Sequence, residues 1–74
     1  MQTVKTKQIQ IVVNGVSRFV PGEITLAGLL AFLDILPDRV AVELNGAIVK
    51  KQDWTGRSIG AGAKLEIVQF VGGG

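Results

Sequence analysis

The chain has 74 residues and a net charge of +2 from eight basic and six acidic side chains, and it contains neither cysteine nor histidine. That composition excludes a disulfide scaffold and a zinc site built from the usual sulfur and imidazole ligands. It also leaves the hydroxyls of Thr3, Thr6, Ser17, Thr25, Thr55 and Ser58 without a histidine base, so the chain is poorly supplied for nucleophilic catalysis of its own. The basic residues are scattered, with Lys50-Lys51 the only adjacent pair, unlike the clustered stripe of a nucleic-acid binder. The apolar run Leu26 to Leu33 falls well short of the roughly 20 residues of a membrane span. Residues 1–7 lack the apolar core of a signal peptide, which argues against export and makes a cytoplasmic protein the expectation. Hydrophobic residues make up 47% of the chain and the mean hydropathy is +0.41. A domain this small cannot hide that much apolar surface, and an exposed apolar patch points to a partner.

Residues 1–7 are polar and aperiodic and read as an N-terminal extension to a single domain over residues 8–71. From Gln8 the residues alternate polar and apolar through Ile9, Gln10 and Ile11, the period of a strand with one buried face. Asn14-Gly15 then signals a tight hairpin, and Arg18-Phe19-Val20 a second strand ending at Pro21-Gly22. A strict two-residue turn would set Arg18 opposite Ile11 on the apolar face, so a longer or bulged connection is expected. Thr25 reads as a helix N-cap. Leu26, Leu29, Leu30 and Leu33 behind it form one helical stripe, which Gly28 weakens and Pro37 ends. A third strand, Val40 to Leu44, turns at Asn45-Gly46 into a short strand at Ile48-Val49. Residues 50–63 are loop-like, and Trp54 among them is expected to close one end of the core. The last strand, Lys64 to Val71, is dense in β-formers.

This order predicts an α+β fold, one helix across one face of a mixed sheet of four to five strands. The loop before the last strand is too long for a hairpin, so that strand is free to lie in the middle, beside the first. The expected core is Ile9, Ile11, Leu26, Leu29, Leu30, Leu33, Val42, Leu44, Leu65 and Ile67. Alternation turns Val68 and Phe70 to the opposite face, which a single helix leaves uncovered. With Val71 they form the candidate surface for a partner.

The last strand runs directly into Gly72-Gly73-Gly74. Glycines without Cβ atoms can enter a slot too narrow for other residues, and three of them span at most about 10 Å. A glycine-rich end is also what a flexible terminus looks like. Here, however, it follows a strand with exposed apolar residues and no linker intervenes. A tail of this kind suits delivery of the Gly74 carboxylate into another protein's active site. A free carboxylate is a poor acyl donor, so it needs activation, for example as an acyl-adenylate made from ATP by a separate enzyme. A sulfur nucleophile that displaces AMP then leaves a thiocarboxylate. In that case the chain is a carrier and substrate, not a catalyst, with no bound cofactor or metal.

Val40-Ala41-Val42-Glu43-Leu44-Asn45-Gly46, Ile48-Val49, Trp54 and Leu65 through Gly74 together resemble the ThiS family, sulfur carriers of thiamine biosynthesis. The first half agrees more loosely, at Val13-Asn14-Gly15, Val20-Pro21 and Thr25 to Leu30. The resemblance implies a β-grasp, ubiquitin-like fold. It implies that Gly74 is adenylated by an E1-like enzyme of the ThiF type, receives sulfur from a donor such as a cysteine desulfurase, and passes it to a ThiG-type thiazole synthase. Gly72 and Gly73 form the tail. The chain departs from the family in its polar extension and in ending on three glycines rather than two. Two alternatives stand beside this reading: the small subunit of molybdopterin synthase, with the same fold and tail chemistry, and a β-grasp interaction module with no covalent chemistry.

Overall fold

The computed structural model describes residues 7–70. Its elements in chain order are β1 (Gln8–Val13), β2 (Val16–Pro21), α1 (Leu26–Phe32), β3 (Val40–Leu44), β4 (Ala47–Ile48) and β5 (Lys64–Gln69). Short 3-10 segments cover Pro37–Arg39 and Lys51–Gly56, the second lying in a stretch expected to be loop. The five strands form one sheet in the order β2-β1-β5-β3-β4. β5 is parallel to β1 and antiparallel to β3, so the last strand occupies the middle of a mixed sheet, as the loop length before it implied.

Both Asn-Gly pairs make two-residue turns. Asn14 and Gly15 have φ of 50° and 83°, and Asn45 and Gly46 have 52° and 88°. These are the left-handed values that a type I′ hairpin requires. The first turn corrects the expectation of a longer or bulged connection. Val13 pairs with Val16 and Ile11 pairs with Arg18, in an unbroken two-residue hairpin. Arg18 thus shares the helix-side face with Ile11, yet it is exposed while Ile11 is fully buried. The reason is position: β2 is the edge strand, and a long side chain at an edge can carry its charge to water.

Thr25 caps α1 as expected, its Oγ1 accepting the Gly28 N–H at 3.0 Å. A Cβ on Gly28 would lie 3.2 Å from that Oγ1 and 3.1 Å from Ile24 Cγ1, so the residue that weakens the helix is also the one that lets the cap close. At the other end Asp34 sits at φ 63°. Its N–H bonds to the Ala31 carbonyl and the Ile35 N–H to the Leu30 carbonyl, the paired closure of a left-handed helix stop. A seven-residue helix is too short to persist alone, so burial of Leu26, Leu29 and Leu30 is what holds it.

The core gathers those leucines with Ile11, Val13, Val20, Val40, Val42, Leu44, Val49, Trp54, Ile59, Ala63 and Leu65. Ile9, Leu33 and Ile67, expected inside, are half-buried against it. Trp54 does close one end of the core, and its indole N–H donates to the Val49 carbonyl at 2.9 Å. No helix among the described residues is long and apolar enough to cross a membrane.

Candidate functional site

The site is built on the last third of β5, and the two turn asparagines set where that strand lies. Asn14 N–H donates to the Leu65 carbonyl at 2.8 Å. Its carboxamide then accepts the Ile67 N–H at 2.7 Å and donates to the Ile67 carbonyl at 3.1 Å. On the other flank Asn45 N–H donates to the Lys64 carbonyl at 2.7 Å, and its Oδ1 accepts the Lys64 N–H at 2.9 Å. Farther along, the Phe70 N–H bonds to the Arg39 carbonyl at 2.7 Å. β5 is therefore fixed at its start, middle and end.

Leu65, Ile67 and Gln69 face α1, so Glu66, Val68 and Phe70 face away from it. Val68 and Phe70 are 60% and 57% exposed. Phe70 does not fold back into the protein's interior; it stands in the open where the tail begins. Val68 lies opposite the half-buried Ala41, and Glu66 lies opposite Glu43. Two residues not anticipated as part of this surface, Phe19 and Ile48, are also large, exposed and on the same open face. Burial of Val20 with exposure of its neighbour is the alternation that could have placed Phe19 there. Of the expected site residues, Val71, Gly72, Gly73 and Gly74 lie outside the described residues, as does the polar segment 1–6.

Asp38 and Lys51 form an exposed ion pair, and the hydrogen bond and charge of Lys51 hold the Asp38 carboxyl below its ordinary pKa. No three His, Cys, Asp or Glu side chains converge as a metal site among the described residues. No buried polar side chain among them lacks a partner.

A five-stranded mixed sheet grasping one helix, with a middle strand that ends in an uncovered apolar surface, defines a ubiquitin-like, β-grasp domain. The sequence profile of the ThiS family matches residues 6–74, and the chain belongs to that family. The crystal structure of the thiamine biosynthesis protein ThiS from Geobacter metallireducens superposes with a TM-score of 0.79 at 28% identity, covering 89% of this chain and all of that one. In sequence, the chain is 39% identical over 66 residues to part of a thiazole synthase from Paramagnetospirillum magneticum. That match covers 89% of this chain but 20% of the relative, so the chain spans one fifth of the length of that enzyme. It is also 32% identical to ycf40 of Porphyra purpurea, an uncharacterized protein, over 92% of this chain and 96% of that one.

Proposed function

We propose that the chain carries sulfur as a thiocarboxylate on Gly74 and donates it to thiazole formation. The observation that carries this reading is the architecture of β5: a strand fixed on both flanks shows Val68 and Phe70 to solvent and continues in sequence into Gly72-Gly73-Gly74. A partner can grip the domain at the open face while the glycines enter its active site. The carboxylate of Gly74 attacks the α-phosphate of ATP and pyrophosphate leaves. A sulfur nucleophile then displaces AMP, and the oxygen lost from the carboxyl departs with that AMP. An E1-like enzyme of the ThiF type supplies the adenylation, a donor such as a cysteine desulfurase supplies the sulfur, and ATP is that enzyme's co-substrate rather than a group bound here.

The likeness to part of a thiazole synthase supports that enzyme class as acceptor, in preference to molybdopterin synthase. A carrier domain within the acceptor's own chain raises the local concentration of one for the other, to the millimolar range for short linkers. The open face gives such a carrier a surface on which an acceptor can hold it.

The test is intact mass after incubation with ATP, a ThiF-type enzyme and a sulfur source. The expected result is exchange of one oxygen for sulfur, located at Gly74 by fragmentation. An unchanged mass, with the added enzyme shown to be active on its own carrier, overturns the reading.

A further inference from the structure

Both hairpin turns pair an asparagine with a glycine, and that dipeptide carries a chemistry the carrier reading does not use. The backbone nitrogen after an asparagine can attack the carboxamide carbon, and glycine, with no side chain, hinders the approach least. Asn14, Gly15, Asn45 and Gly46 are all exposed, and nothing lies within 4 Å of where a Cβ on either glycine would stand. Water therefore reaches both sites.

The turns themselves oppose the attack. A type I′ turn sets ψ of its first central residue at about +30°. There the glycine nitrogen lies across the Cα–C bond from Cβ, out of reach of the carboxamide carbon. Attack needs that bond to rotate, so it needs the turn to open.

What opening breaks differs between the two turns. At Asn14 it breaks two bonds from the carboxamide to Ile67 and one from the N–H to the Leu65 carbonyl. That turn also closes a ladder of six residue pairs, whose nearest member, Val13, is buried. At Asn45 the carboxamide is held through Oδ1 alone, by the Lys64 N–H, and the Asn45 N–H bonds to the Lys64 carbonyl. The strand beyond it is only Ala47–Ile48, at the sheet's edge, and both residues are exposed, Ile48 to 74%. The next firm anchor is Val49, buried and bonded through its N–H to the Val42 carbonyl. The turn at Asn45 thus opens without taking an apolar side chain out of the core, and segments of that kind open at the lowest free energy.

We propose that Asn45 is a site of spontaneous deamidation, that Asn14 is protected from it, and that one product at position 45 draws Ile48 off the open face. In the opened turn the Gly46 nitrogen bonds to Cγ of Asn45. The Cγ–Nδ2 bond breaks, and ammonia leaves with the proton of the Gly46 N–H. The succinimide so formed takes up water. Ring opening at Cγ gives an aspartyl residue, whose carboxylate still accepts the Lys64 N–H. Ring opening at the backbone carbonyl gives an isoaspartyl residue, through whose Cγ the chain now runs. The backbone is then one methylene longer, and the two-residue turn that sets Ile48 opposite Glu43 is lost. Ile48 shares the open face with Val68 and Phe70, so this product offers a partner less apolar surface. That consequence rests on the carrier reading; the modification does not.

The full chain, held in mildly alkaline buffer and then digested, gives the rate at each asparagine by peptide mass. Methyl transfer by an isoaspartyl methyltransferase marks the isoaspartyl fraction. In the native protein the Asn45 peptide converts about tenfold or more faster than the Asn14 peptide, and in denaturant the two rates converge. Equal native rates, a faster Asn14, or no native conversion at Asn45 where denaturant permits it, each overturn the proposal. The isoaspartyl and aspartyl forms, equal in charge, are then separated and compared in ATP–pyrophosphate exchange with a ThiF-type adenylyltransferase. The isoaspartyl form needs several-fold more protein for half-saturation and keeps a cooperative melt. Equal half-saturation overturns the displacement of Ile48, and a lost melt overturns its local character. If the fresh chain supports no exchange, the carrier reading fails and the docking consequence with it, while the rates at Asn45 and Asn14 still decide the modification.

Discussion

Asn14 and Ile67, 53 residues apart in sequence, are joined by two hydrogen bonds in which the Asn14 carboxamide takes the place of a peptide group. One residue therefore serves the hairpin through its backbone and the middle strand through its side chain. Asn14→Gly keeps the positive φ, so the turn survives, but both bonds to Ile67 are lost. The expected cost is about 1–2 kcal/mol in chemical denaturation, because the bonds are exposed to solvent, with faster exchange at the Ile67 amide. An unchanged Ile67 exchange rate would show that the carboxamide does not hold the strand.

Leu29 is fully buried beneath the sheet. Leu29→Ala should cost roughly 2–5 kcal/mol, most of the stability a domain of this size possesses. Thermal and urea melts give the value, and a loss below about 1 kcal/mol would contradict the packing of α1.

For Phe70→Ala the melting temperature should stay nearly constant, since the ring is already in water, while affinity for the activating or acceptor enzyme falls by about 2 kcal/mol. Calorimetry and partner titration on the same protein separate the two effects. Lost stability with affinity preserved would reverse the assignment.

The glycine tail permits a stricter comparison. Gly73→Trp leaves the melting curve intact and abolishes thiocarboxylate formation if the enzyme's channel admits only residues without a Cβ. Sulfur incorporated into this variant, detected by intact mass, would remove the narrow-slot argument.

The Asp38–Lys51 pair gives a pH dependence of defined sign. Lys51 lowers the pKa of Asp38 in the folded state, so the contribution is complete above the unfolded carboxylate range and disappears as pH falls through the folded value. Asp38→Asn should melt slightly below the parent at neutral pH and level with it in strong acid. The pair is exposed, so added salt shrinks the difference.

Much of the architecture is legible in residues whose local preference and tertiary role agree. Thr25 caps the helix it precedes, the leucine stripe is the buried one, and Leu65 and Ile67 turn toward it while Val68 and Phe70 turn away. Arg18 misleads because alternation records which face a residue lies on but not whether that part of the face is covered. A charge opposite Ile11 implied a bulge only so long as β2 was not known to be the sheet's edge. The bracing of β5 by Asn14 and Asn45 was hidden for a related reason: a turn asparagine announces its own φ, and nothing local announces a strand 53 residues from Asn14 and 19 from Asn45. Phe19 and Ile48 were missed because the open face is assembled from strands distant in the chain.

The order β2-β1-β5-β3-β4 also governs how the protein reaches this state. The hairpin β1–β2 and the pair β3–β4 can each close locally, but they share no ladder until β5 arrives between them. That arrival joins Val13 to Leu65 across a loop of some fifty residues, whose closure entropy must be met before the contacts reward it. The segment that displays Val68 and Phe70 is thus also the one that couples the two halves of the sheet. Until that strand pairs with both β1 and β3 the two local units remain uncoupled, with their inner edges open to the wrong neighbour.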